Sequence, residues 1–153
     1  ETLGLDYDSN LAKEYFGKIL GEQFIMEPGI EEVLKKISAN HKIYAASNGV
    51  LTMQENRLQL SGLKRYFTDL YVSDDIGSAK PNISFFTESM KRAELKPSEI
   101  LMIGDSLVSD IAGASNAEIA SVWYNPYGLE NGTDIKADYE IKNLHELAGI
   151  LNS

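Results

Sequence analysis

The chain has 153 residues, enough for one domain with a sizeable core, and I-, L- and V-rich runs to fill it. With 43% hydrophobic and 24% charged residues and no polar low-complexity tract, it is not a disordered chain; with no cysteine, it has no disulfide framework, thiol nucleophile or thiolate metal site. A net charge of −9 with scattered basic residues argues against a nucleic-acid face, though carboxylates gathered at one point allow a small anion to bind through a metal ion.

The apolar runs are all short, far from the roughly 18 to 20 residues of a membrane span, and the N-terminus lacks the order of a signal peptide. A soluble, cytoplasmic protein is expected. The chain opens on Glu1 rather than Met, so further residues upstream are expected as well.

After "DYDSN", where Asp8 or Ser9 is placed as a cap, Leu11, Tyr15, Phe16, Ile19 and Leu20 recur at helical spacing as far as Gly21. "EPGIEEVLKKISAN" predicts a Pro-Gly turn and a helix with acidic residues in its first turn and lysines in its last, stopping at Asn40. "KIYAAS" predicts a buried strand ending at Ser47-Asn48-Gly49. A helix over "VLTMQENRLQLSGL" follows, with Leu51, Leu58 and Leu60 as its apolar side and Gly62 at its end. "LYVSDD" predicts a second strand, and "NISFFTESMKRAEL" a helix opened by Pro81 and Asn82. A Pro97 turn then leads into the strand "EILMIGD", the helix "SDIAGASNA", the strand "IASVWYN", a Gly- and Asn-rich loop through Gly132, the strand "YEI" and the helix "NLHELAGIL". Short apolar strands alternating with helices predict an α/β fold, a doubly wound parallel sheet with helices on both faces.

Ligands of open parallel sheets bind outside the carboxyl ends of the strands, so the polar residues just after strands are the candidates. Three groups qualify: Ser47-Asn48-Gly49, Lys80-Pro81, and Gly104-Asp105 with Asp110. Each also has a plain structural explanation. Ser47 to Gly49 could be a capped strand-to-helix turn, Lys80 a solvated surface lysine, and Asp105 and Asp110 caps of the next helix. His41 and His145 have no partner at ligand spacing and are expected at the surface or as caps; Phe85, Phe86, Trp123 and Tyr124 are expected in the core, and Asp74 and Asp75 in solvent.

Written as "AASNG", "SAKPN" and "IGDSLVSD", the three groups resemble, in order and spacing, motifs II, III and IV of the haloacid dehalogenase-like hydrolase superfamily. "GDSLVSDIAGASNA" followed by "VWYN" resembles the phosphatase branch near the pyrimidine 5'-nucleotidases, and the resemblance runs from about Pro28 to the C-terminus. It implies that Ser47 donates its hydroxyl to a phosphate oxygen, helped by the backbone N–H groups of Asn48 and Gly49. Lys80 would hold the same phosphate and the nucleophile as a point charge. Asp105 would be a direct Mg²⁺ ligand, and Asp110 would support the metal site from behind, orienting a metal-bound water or Lys80. Glu118 departs from the pattern, which has Gly there; a left-handed backbone at Glu118 would carry roughly 1 kcal/mol of strain.

The nucleophilic motif of the superfamily, D-x-D-x-[T/V] at the end of the first strand, has no convincing match. Asp6 and Asp8 have the right mutual spacing, but Asn10 stands where Thr or Val belongs, and an amphipathic helix follows. Residues 1–24 are therefore expected to be the end of a helical cap region and residues 25–153 the core domain carrying motifs II to IV. The resemblance places the missing strand centrally, between those ending at Ser47 and Asp105. Without it the sheet is incomplete, with two unpaired backbone edges. An N-terminal segment bearing that strand and most of the cap is accordingly an expected partner.

The resemblance thus implies the C-terminal part of a Mg²⁺-dependent phosphomonoester hydrolase that works through a phosphoaspartate, with a small phosphorylated metabolite or nucleotide as substrate and no nucleic-acid polymer or membrane as partner. The chain alone is expected to be inactive. The alternatives are a non-catalytic binding module on the same fold and a metal-independent 2-haloacid dehalogenase.

Overall fold

The computed structural model describes residues 26–151; the expectations for residues 1–24, Asp6 and Asp8 among them, lie outside the described residues. The first described helix, α1 (Ile30–Ser38), starts after Gly29, whose φ of 78° is a left-handed conformation suited to glycine. Glu31 and Glu32 lie in its first turn and Lys35 and Lys36 in its last, each where the helix dipole favours it. The chain continues through β1 (Tyr44–Ser47), α2 (Leu51–Leu60), β2 (Asp69–Val72), a single helical turn α3 (Ser73–Ile76) and α4 (Ile83–Ala93). Then come β3 (Leu101–Gly104), a π-helical turn at Leu107–Ile111 running into α5 (Ala112–Asn116), β4 (Ala120–Tyr124), β5 (Tyr139–Ile141) and α6 (Leu147–Leu151).

Among the described residues all strand pairings are parallel, and they form two sheets. β1 pairs with β2 from Tyr44↔Asp69 to Ser47↔Val72, while β3 pairs with β4 and β4 with β5. Among the described residues no ladder joins β1 to β3, so the sheet of this α/β fold is split in two at its middle.

Period-2 alternation sends neighbouring strand residues to opposite faces. On one face Tyr44 and Ala46 of β1, Tyr71 of β2 and Met102 of β3 pack with Phe85, Phe86 and Met90 of α4 and with Ala114. This cluster spans the split. On the other face Leu101 and Ile103 of β3 pack with Val122, Ile141, Leu147 and Ile37, covering the three-stranded half with α1 and α6. Tyr71 stacks on Tyr44 with ring centroids 5.7 Å apart; burial, and then the charge of the nearby Asp69, push its phenol up to about 12.

Two expected elements differ in detail. The second strand stops at Val72, because Ser73 to Ile76 turn helical and Gly77 closes the turn at φ 76°. Helix α2 buries none of its residues fully, and Leu60, expected on its apolar side, is 54% exposed. α4 begins as the sequence indicates: Asn82 is the cap, its side chain accepting from the Ser84 N–H at 3.1 Å. Glu118 has φ 59°, the left-handed strain expected of it, and Glu94 has φ 56° at the end of α4.

Candidate active site

The three motif groups meet at the carboxyl ends of β1 and β3, and Lys80 is the residue that joins them. Its ammonium donates to the Ala46 carbonyl of β1 at 2.7 Å and lies 2.7 Å from Oδ1 of Asp110, which follows β3. Both side chains of the pair are more than nine-tenths buried. Asp110 Oδ1 has no hydrogen bond of ordinary geometry, so the ammonium is its counter-charge; Oδ2 accepts from the Ser106 N–H at 3.1 Å. A pair this deeply buried is costly to desolvate and costlier to break.

The main chain of Lys80 is fixed as firmly. Asn48 donates from Nδ2 to the Lys80 carbonyl at 2.8 Å, and its Oδ1 accepts from the Lys80 N–H at 2.8 Å, a reciprocal pair across 32 residues of sequence. Pro81 follows through a cis peptide bond. The sequence marks Asn48 for its backbone; the structure gives its side chain the task of holding Lys80. Gly49 likewise has a partner inside the chain, because its N–H donates to Ser73 Oγ at 3.0 Å. Neither Ser47 nor Asn48 caps the next helix, whose cap position is Val50, without a side-chain cap bond.

Two glycines let these groups come close. A Cβ on Gly104 would stand 2.4 Å from Asp110, and one on Gly113 would stand 2.4 Å from the Phe86 ring and 3.1 Å from Pro81 Cα. The polypeptide after β3 therefore lies flush against Lys80-Pro81. Ser106, between the two aspartates, is the cap of the π-helical turn, with Oγ accepting from the Ser109 N–H at 3.1 Å. Asp105 is exposed and Asp110 buried. The indole N–H of Trp123, itself buried, donates to the Asp105 carbonyl at 3.0 Å.

Ser47 opens on a cleft of about 320 Å³ whose wall includes Ala45, Gln54, Arg57, Leu58 and Leu70. A second cleft of about 240 Å³ includes Tyr124, Lys142, His145 and Glu27, the last of which also lines the first. Burial and a hydrogen bond to Glu27 raise the Tyr124 phenol above its ordinary range. His41 and His145 are exposed, as are Asp74 and Asp75, the latter paired with Arg92; Phe85, Phe86 and Trp123 are buried, as expected of them.

Whether the residues suit a magnesium ion can be judged from the donors. No group of three or more His, Asp or Glu gathers at one point among the described residues. With Asp110 turned to Lys80 and Ser106, Asp105 is the carboxylate at the strand end that faces outward. One carboxylate suits Mg²⁺, which keeps several waters and takes one or two carboxylates together with substrate phosphate. The described residues thus fit as part of such a site.

Residues 7–124 match the family model for haloacid dehalogenase-like hydrolases, more than half of the chain. The chain belongs to that family. It is 33% identical to a pyrimidine 5'-nucleotidase of Streptococcus pneumoniae over 151 residues, 97% of this chain and 64% of that protein. A magnesium-bound crystal structure of a HAD-hydrolase from Bacillus subtilis superposes with a TM-score of 0.88 at 33% identity, covering 98% of this chain and 66% of that one. A 2-haloacid dehalogenase from Pseudomonas syringae superposes with a TM-score of 0.83 at 31% identity, covering 96% and 64%. The chain therefore spans just under two thirds of the length of these family members. Its fold and branch agree with the resemblance read from motifs II to IV.

Proposed function

We propose that the protein to which this chain belongs is a Mg²⁺-dependent phosphomonoester hydrolase acting on a small phosphorylated metabolite or nucleotide, a cytoplasmic enzyme of the nucleotidase-like branch. The observation that carries this reading is the buried Lys80–Asp110 pair, anchored to β1 through Ala46 and Asn48, which sets a fixed cation between the strand ends bearing Ser47 and Asp105. Phosphoryl transfer asks mainly for positioning and neutralised charge. An ammonium has three N–H donors; the Ala46 carbonyl takes one and Asp110 stands beside it as counter-charge, and we assign a remaining donor to a phosphate oxygen. The Ser47 hydroxyl and the Asn48 N–H take further phosphate oxygens, while Gly49 shapes the turn. Asp105 would hold the Mg²⁺, which when bound neutralises the phosphate, and Asp110 keeps Lys80 aimed.

The nucleophile in this reading is an aspartate on a strand from a segment outside the described residues, seated between β1 and β3. The split between the two sheets supports that placement. The partner is therefore this protein's own N-terminal segment, and the chain without it is inactive.

The test uses the protein with its upstream segment, p-nitrophenyl phosphate as substrate and Mg²⁺ added or chelated. Hydrolysis that stops in chelator, returns with Mg²⁺ and falls at least a hundredfold in Asp105→Asn is the expected result. The likeness to the dehalogenase favours a second reading, which release of halide from a 2-haloacid in chelator would establish in its place. Mg²⁺ binding with no turnover of either substrate would mark a binding module.

A further inference from the structure

Trp123 is the chain's single tryptophan. The β3–β4 register sets it opposite Gly104, the residue just before Asp105. At 6% exposure its rings need only an apolar setting, which Phe would fill as well. What Phe would lack is the N–H. A buried indole N–H requires an acceptor, and the one it has is the carbonyl of the residue whose carboxylate faces outward at the strand end.

We propose that Trp123 is a positioning residue for a divalent-cation site at Asp105. The inference rests on the reading of Asp105 as a Mg²⁺ ligand. The Asp105 peptide lies between two anchors: the indole N–H holds its carbonyl, and Asp110 Oδ2 holds the next N–H, that of Ser106. With this one peptide group held at both its C=O and its N–H, less of the backbone beside the carboxylate is left to order when a cation arrives, so less ordering opposes binding. Asp110 also serves Lys80, so its removal changes two things at once. Among the side-chain hydrogen bonds described, the Trp123 indole reaches the site through Asp105 alone, which makes it the cleaner probe.

Groups that orient a metal ligand commonly contribute 10- to 100-fold in metal affinity. The experiment measures Mg²⁺ binding to the full-length protein by titration calorimetry. In Trp123→Phe, which keeps an aromatic ring and deletes the donor, Mg²⁺ binding is expected to weaken about tenfold, and activity lost at limiting Mg²⁺ returns when Mg²⁺ is raised. A packing role alone would lower the melting temperature and leave Mg²⁺ affinity where it was; that result in a folded variant overturns the proposal. Tryptophan emission of the unsubstituted protein supplies a measurement that needs no variant. It should change on Mg²⁺ addition with the calorimetric midpoint, and emission indifferent to bound Mg²⁺ overturns the proposal too. Asp105→Asn tests the underlying reading separately. If Mg²⁺ affinity survives that substitution, Asp105 is no ligand and the reading itself fails; if affinity is lost there but unchanged in Trp123→Phe, only the role of Trp123 falls.

Discussion

The two halves of the split sheet hold their functional residues by different means. In the β3–β4–β5 half, Asp105 follows a strand whose neighbour β4 is fully buried at Val122, with an indole bonded to its carbonyl and a packed helical layer on either side of the sheet. In the β1–β2 half Tyr71 and Val72 of β2 are buried, but α2 beside the strands buries no side chain fully. There the polar residues are steadied by bonds from distant segments: Asn48 by the Lys80 backbone, Gly49 by Ser73, and the end of β1 by the Lys80 ammonium. The candidate metal side thus combines packing on both faces with hydrogen bonds to the Asp105–Ser106 peptide, while the candidate phosphate side depends chiefly on polar ties to distant segments. A substitution in the Lys80 segment should therefore disturb the second half far more than the first.

The largest expected effect comes from cutting the main tie. Lys80→Met leaves the buried Asp110 carboxylate without its counter-charge, at a cost of about 3–5 kcal/mol of stability measured by urea unfolding. Amide exchange should quicken in β1 and stay slow in β4; equal acceleration in both would erase the contrast between the halves. Adding Asp110→Asn to that variant should restore part of the stability and none of the activity.

Gly113→Ala probes the same tie sterically. The new methyl group meets Phe86 and the Pro81 backbone, so a loss of about 1–3 kcal/mol is expected together with reduced hydrolysis, as Lys80 is carried away from Asp110. Gly132→Ala, with open space around its Cβ, is the control.

Tyr71 sharpens the comparison through pH. Its folded phenol titrates near 12 against an ordinary 10.0, so the unfolded chain releases that proton first as pH rises. The stability it contributes is whole below about pH 10 and is lost as pH climbs through 12, on the order of 2 kcal/mol. Tyr71→Phe should remove that part of the alkaline loss, seen as a flatter stability curve above pH 10. The smallest effect belongs to the other half: Glu118→Gly relieves a left-handed φ just before β4 and should raise stability by about 0.5–1 kcal/mol, with no change in hydrolysis.

Much of this architecture can be read along the chain because its signals are local. Glu31-Glu32 and Lys35-Lys36 mark the ends of α1, Asn82 marks the start of α4, and the alternation in "ILMIG" gives β3 a residue for each face. The motif residues are legible as strand-end polar groups, and their order carries the family. What periodicity does not contain is contact between distant residues. The Asn48 side chain pairs with Lys80 across 32 residues, and the Trp123 indole reaches Asp105 across 18. Ser106 as a cap and Gly113 as a point of close approach look ordinary in sequence, since their value lies in what packs against them. Leu60 shows the converse: helical spacing put it on an apolar face, but α2 has no complete layer to bury it.

The Lys80 ammonium has an acceptor at the same 2.7 Å on either side, one from each half of the sheet. It therefore acts as a gauge for the distance between them. Pulling the halves apart parts the ammonium from the Ala46 carbonyl or from the Asp110 carboxylate, and the second separation strands two buried charges, so a change of spacing is costly. The position of the ammonium is therefore tied to the separation of the two strand ends.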